Sequence, residues 1–335
     1  NAGGTLFQTQ SLSNTLGNPN LKPELHEELE FGIETAMFNN KVRFDISLYQ
    51  KNTNNLITSS PIDPATGFTN TTINIGKIRN RGIEFQGTAT PVTTASGFSW
   101  ETIVNWTAYR TVTMELGEGL EEVVYAGFTN LGNFAIPGQP FGIIKGTVFA
   151  RDEQTGQPIV DNVGTYLEDT EIGILGDPNP KWTGSWINTL RYKGFFMNFM
   201  LEYRRGGIIF SNTVTATLAR GVTKDPVVDR EMSFILPGVK RDGTPNDIQI
   251  TASNYFFDGY HVGADESNVF DGSAVKLREL SFGYDLPSSL LSKTPFKRAS
   301  IALSGTNLWF RALNFPPNMN YDVDVLGVGV GNGLG

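Results

Sequence analysis

Along residues 28–37 the apolar side chains Leu29, Phe31, Ile33 and Met37 fall on alternate positions, with Glu28, Glu30 and Glu34 between them. A period of two puts the two sets on opposite sides of an extended chain, so the segment predicts a β-strand with one apolar and one acidic face. Asn39-Asn40 follows, a pair that tolerates the positive φ of a tight turn. The alternation then resumes with Val42, Phe44, Ile46 and Leu48 against Arg43, Asp45 and Ser47. The two segments predict a hairpin of long strands.

The same pattern recurs three times. Ile83, Phe85 and Ala89 alternate with Glu84, Gln86 and Thr88. After the turn-rich 91–97, Phe98, Trp100, Val104 and Trp106 alternate with Ser99, Glu101, Asn105 and Thr107. Residues 182–192 and the run Phe195, Met197, Phe199, Leu201 and Tyr203 flank Lys193-Gly194. Leu280, Phe282, Tyr284 and Leu286 are followed by a turn over 287–295 and a return through Ala299, Ile301 and Leu303. Each strand covers about ten residues, the length a tilted strand needs to cross a bilayer. Two positions break the parity. Asn188 shares a face with Trp186 and Leu190, and Arg278 with Leu280, which predicts a bulge or a position above the hydrocarbon.

Short turns alternate with long connections over about 50–77, 111–180 and 206–272, rich in Gly, Asn, Thr and Pro. Outer-membrane barrels combine short periplasmic turns with long extracellular loops, whereas loops this long are uncommon inside compact soluble domains. The short turns are therefore expected to face the periplasm. Residues 121–126 and 141–150 predict further strands above the membrane. Trp100, Tyr109, Tyr192, Tyr203 and Trp309 near strand ends suit interfacial girdles. The competing architecture is a soluble sandwich or solenoid, whose apolar strand faces would meet another sheet instead of lipid.

Composition narrows the choice. Only 18% of residues are charged, 11% are aromatic and 37 are Gly, which favours strands and turns. With no Cys there is no disulfide, thiolate metal site or Cys nucleophile, and a net charge of −8 without a basic run disfavours nucleic acid. No apolar run approaches the roughly 18 residues of a spanning helix. His26 and His261 lie far apart, no G-x-S-x-G is present, and the Gly-rich 327–335 lacks the Lys of a phosphate cradle. No catalytic residue, metal or cofactor is expected, and a soluble β hydrolase is disfavoured. Asp265, Glu266 and Asp271 match no calcium loop and read as solvated loop residues. Tyr255, Phe256, Phe257, Tyr260 and His261 gather four rings and an imidazole in one long connection, where rings stack on sugars, anchor a partner or pack the loop itself.

Several phrases taken together resemble the C-terminal half of SusC- and RagA-type TonB-dependent transporters. Asn18-Pro19-Asn20-Leu21-Lys22-Pro23-Glu24, followed by Glu28, Glu30 and Gly32, resembles the phrase that opens a barrel strand in that superfamily. Tyr49, Thr53, Leu56 and Ile57 follow, then Asn80, Gly82 and Glu84. Gly176-Asp177-Pro178-Asn179-Pro180, Tyr192-Lys193, Gly206-Gly207, Asp271-Gly272-Ser273, Leu277-Arg278-Glu279-Leu280, Gly283-Tyr284-Asp285-Leu286-Pro287 and Asn307-Leu308-Trp309 continue in the family order.

The resemblance implies a plugged barrel of about 22 strands in the Gram-negative outer membrane, importing a large nutrient with energy passed through TonB. It also implies a SusD-like surface lipoprotein as a lid. The expected fold is all-β, a transmembrane antiparallel barrel segment over residues 1–335. Plug, TonB box and final strand are expected to lie outside this sequence, with both sheet edges open. Glu28, Glu30, Arg43, Asp45, Glu84, Glu101, Glu202 and Arg204 are expected to face the lumen, and Phe44, Phe85, Trp106, Phe199 and Phe282 to face lipid. The Tyr255–His261 cluster is expected to contact substrate or lid. The substrate class is oligosaccharide or oligopeptide; a structural or adhesive barrel without active transport is the alternative.

Overall fold

The computed structural model describes residues 13–220, 231–256, 263–315 and 319–324. Its main body is one eight-stranded sheet. The strands are β1 (Leu25–Met37), β2 (Val42–Asn54), β3 (Gly76–Thr93), β4 (Phe98–Leu116), β5 (Trp182–Tyr192), β6 (Phe195–Arg205), β7 (Ala274–Asp285) and β8 (Ser300–Ala312). Every neighbouring pair is antiparallel and the order in space is the order in sequence, a pure meander. Among the described residues β1 and β8 pair on one side only, so the barrel is not closed.

All four predicted hairpins form, and the turns explain why. Phe38, Asn39 and Asn40 all adopt positive φ, 54°, 56° and 66°, a conformation the two Asn residues accept readily. Lys193 (φ 48°) and Gly194 (φ 90°) make a two-residue turn that sets Tyr192 opposite Phe195. Thr94 Oγ1 accepts from the Phe98 amide at 3.0 Å and closes the β3–β4 turn.

Register carries the alternation across the sheet. Ile46 pairs with Phe85, Phe85 with Trp106, Trp106 with Gly184 and Gly184 with Tyr203, so these positions share one face. The same pairing puts Phe44, Phe199 and Phe282 on that face. One residue along, Asp45, Gln86, Asn105, Ser185, Glu202 and Lys276 form a continuous polar row on the other. Phe195 to Tyr203 spans about 27 Å of strand, which a barrel tilt reduces toward the roughly 25 Å apolar band of outer-membrane barrels. Beyond this band the apolar face turns polar, with Gln50, Arg81, Arg110 and Arg205 toward the long connections.

Several sequence expectations need adjustment. The wall strands run further than expected: β3 and β4 have 18 and 19 residues, and β2 and β4 extend to Asn54 and Leu116, inside the segments read as loops. Tyr109 leaves the girdle, because it pairs with Gly82 on the polar face, where the Tyr49 ring also covers Gly82. Of the two parity breaks, only one is a bulge. Leu201 pairs with Leu277 and Met200 with Glu279, leaving Arg278 surplus relative to β6. Asn188 sits in unbroken register and is 1% exposed, its Oδ1 accepting from the Trp100 indole at 2.9 Å.

The long connections carry their own structure. Val123–Gly127, Gly132–Ala135, Ile143–Phe149 and Glu168–Gly176 form a second sheet, which covers both loop strands expected from sequence. Ile57–Pro61 and Asn70–Asn74 pair above β2 and β3. Helix α1 (Asn212–Ala219) is capped by Ser211, whose Oγ accepts from the Val214 amide. The three clusters of buried apolar residues all lie at this end of the sheet.

Candidate functional site on the polar face and the loop cap

The polar face holds a recess of about 680 Å³ lined by Glu30, Glu34, Asp45, Ser47, Glu84, Gln86 and Asn105. Its four carboxylates come from three adjacent strands. Ser47 Oγ donates to Glu30, Gln86 Nε2 to Asn105 Oδ1 at 2.8 Å, and Asn105 Nδ2 to Ser185 Oγ at 3.0 Å. Glu28, Arg43, Glu101 and Arg204 share this face by register. Arg204 donates to the Pro178 carbonyl at 3.1 Å, tying the wall to the segment before β5.

Toward the long connections the same face carries an ion network. Its core is Lys276, whose side chain is 4% exposed and pairs with Asp322 and, at 2.7 Å, with Asp324. The β7 bulge turns Arg278 onto this face, where its guanidinium forks onto Glu202 at 2.8 and 3.0 Å and reaches Asp324 at 2.6 Å. Burial pushes Asp324 upward, but the hydrogen bonds from Lys276 and Arg278 outweigh it and hold its carboxyl below the ordinary value. Residues 319–324 thereby form a strap over the sheet. Asn320 fastens it further, accepting from the Ala312 amide at 2.8 Å and donating to the Phe310 carbonyl at 3.0 Å. The Arg278 parity break and the lumen-facing expectation for Glu202 were the hints of this network in the sequence; Asp322 and Asp324 gave no pattern.

The strap's Met319 and Val323 join Ile209, Val214, Leu218, Phe270, Ala274, Ala312 and Phe315 in the cap core. Phe256 packs against it, while Tyr255 meets Phe234 and Phe256 edge-on with centroids 5.4 Å apart. These two rings thus pack the loop, at the end of the sheet opposite Asn39-Asn40. Phe257, Tyr260 and His261 lie outside the described residues.

Of the acidic trio, Asp271 is exposed, whereas Asp265 and Glu266 are held by another connection. Asp265 Oδ2 accepts from the Thr147 amide at 3.0 Å and Glu266 Oε2 from the Phe149 amide at 3.0 Å, while Glu266 also pairs with Arg151. Both residues occupy the edge of the Ile143–Phe149 strand and so join two long connections. Asp271 accepts from the Ser273 amide at 2.7 Å; burial pushes its carboxyl up, and the Ser273 bonds bring it below the ordinary value. Among the described residues no group of three His, Asp or Glu could hold a metal. His26 stands near the start of β1, between Glu24 (2.8 Å) and Thr53 (3.0 Å), a polar strand-end residue. Nearby in the cap, Tyr125 stacks on Phe141 at 4.7 Å and burial pushes its hydroxyl up to about 12.

Comparison with known proteins gives this architecture a family. The model of the TonB dependent receptor-like β-barrel matches residues 1–308. TonB-dependent receptor P3 of Formosa agariphila is 28% identical over 92% of the chain, and TonB-dependent receptor P26 of the same organism is 26% identical over 97%. The chain spans about a third of the length of these relatives, 32% and 34%. The structure of the RagAB peptide transporter superposes with a TM-score of 0.64 at 20% identity, over 92% of this chain and 34% of that one. The RagAB peptide importer in its open-open state gives 0.63 at 20% identity, over 90% and 33%. With a meander whose strands keep one apolar and one polar face, and a family match across most of its length, the chain belongs to the TonB dependent receptor-like β-barrel family.

Proposed function

We propose that the chain supplies part of the wall and the loop cap of an outer-membrane, TonB-dependent importer of a large nutrient, an oligosaccharide or oligopeptide, working with a SusD-like surface lipoprotein. The observation that carries this reading is the exposed apolar face. Phe31, Phe282 and Leu303 are 68%, 55% and 81% exposed, while the opposite face is a hydrogen-bonded polar surface. Large side chains left open in register on seven of the eight strands make sense when lipid is the outer solvent. Phe44, Phe85, Trp106, Phe199 and Phe282 then face lipid. Glu28, Glu30, Arg43, Asp45, Glu84, Glu101, Glu202 and Arg204 hydrate the lumen and face a plug. The long connections become the extracellular cap that meets lid and substrate, with Tyr255, Phe256, Phe257, Tyr260 and His261 beside the path.

The test is uptake by cells that carry or lack the full-length protein. Deletion is expected to abolish entry of labelled oligopeptides or oligosaccharides while sparing free amino acids and monosaccharides, and a protonophore is expected to have the same effect. The fold likeness to RagAB makes oligopeptides the first class to try. Equal uptake of both polymer classes with and without the protein would sink the import reading.

A further inference from the structure

Charge is divided between the two ends of the sheet. The four short turns, residues 38–41, 94–97, 193–194 and 286–299, hold Lys41, Lys193, Lys293, Lys297 and Arg298 and no Asp or Glu. The three long connections, residues 55–75, 117–181 and 206–273, hold 20 Asp and Glu against 8 Lys and Arg. A chain of net charge −8 therefore carries a rim of net positive charge at one end, where Asp285, the last residue of β7, is paired with Arg191 at 3.3 Å. All five cations are exposed.

Exposed apolar side chains stand in the same turns: Phe38 is 73% exposed, Leu290 65% and Phe296 65%. The rim also continues from the apolar face. Phe195 packs on Phe282 and Tyr284 with centroids 6.0 and 4.6 Å apart, and Lys193 Nζ stands 5.1 Å over the Tyr192 ring. Moving outward along β7 one passes Leu280, then the rings of Phe282 and Tyr284, and the turn beyond carries Lys293, Lys297 and Arg298. That sequence matches the layers of a bilayer leaflet, from acyl chain through the interface to phosphate. The cations are spread over three separate turns, β1–β2, β5–β6 and β7–β8, so they suit an extended anionic surface better than a single bound ion.

We infer that the short-turn rim is a docking surface for anionic phospholipid headgroups, which hold the barrel at a fixed depth in the leaflet it meets. The inference rests on the membrane-barrel reading above. Its test uses the full-length protein in vesicles of equal parts phosphatidylcholine and phosphatidylglycerol, with spin-labelled forms of each lipid reporting the motionally restricted shell. A preference for phosphatidylglycerol on the order of threefold is expected, falling toward parity in high salt and in the K41Q/K193Q/K293Q/K297Q/R298Q variant. Arginine at all five positions is expected to restore it, and the loop variant K240Q/R241Q to leave it intact. Flotation with the vesicles separates the failures. Protein that floats yet shows no preference, or keeps it without the five cations, overturns the docking rim alone. Protein that does not float with vesicles overturns the membrane reading and this inference with it.

Discussion

The wall and the cap of this molecule keep their apolar side chains in opposite places. In the cap, Ile209, Val214 and Leu218 are 1%, 0% and 4% exposed and pack as in any soluble core. In the wall, Leu48, Phe195 and Phe282 are 51%, 49% and 55% exposed, although every one lies on a long strand paired on both sides. One chain thus follows two burial rules. The difference teaches that an exposed apolar residue is informative only with its register: scattered it means little, but aligned across strands it names the solvent.

The strongest way to break this comparison is to create a cavity in the cap. Ile209→Ala is expected to cost about 2–5 kcal/mol in cap stability, read by hydrogen exchange over helix α1, and to cost the same in detergent and in lipid. A cap that unfolds more easily only in lipid would mean the two regions are not separate. Next comes Phe199→Arg at mid-strand in the wall, expected to cost about 2–4 kcal/mol in denaturant titrations of folding into vesicles. No loss there would place the apolar face against protein.

Arg278→Lys sharpens the border between the regions, because the substitution keeps the charge and loses the fork onto Glu202. A loss of about 1 kcal/mol is expected, visible as faster exchange in 319–324 with β5 unchanged. Acid gives the smallest effect. Asp271 and Asp324 have folded values below the ordinary carboxylate value, so their stabilisation is complete above about pH 5 and is lost as pH falls through about 4 and below. Exchange protection in 319–324, corrected for the intrinsic pH effect, should fall in that window while the wall holds. Loss at neutral pH instead would remove the two carboxylates from the account.

How much of this could be read from the sequence follows from the range of the forces involved. The β5–β6 hairpin was legible because alternation and a Lys-Gly turn are local, and Met197, Phe199 and Leu201 repeat every second residue. Even the loop strand Ile143–Phe149 left a trace. The strap was not legible, since Asp322 finds Lys276 only through a fold that brings together residues 46 apart. Asp265 and Glu266 failed for the same reason: their partners are the amides of Phe149 and Thr147, and a backbone amide has no sequence signature.

The surplus residue in β7 has a consequence for insertions and deletions. A wall between two solvents behaves like a reading frame of two, in which one added residue exchanges inside for outside along the rest of the strand. Arg278 is absorbed as a bulge, so Leu277 and Leu280 keep the same phase on either side of it. Deleting Arg278 would leave β7 matched residue for residue to β6, with Leu280, Phe282 and Tyr284 still outward. Inserting one residue after Met197 in β6, where no bulge absorbs the slip, would turn Phe199, Leu201 and Tyr203 inward together. Tolerance to a change of one residue in length is therefore set strand by strand.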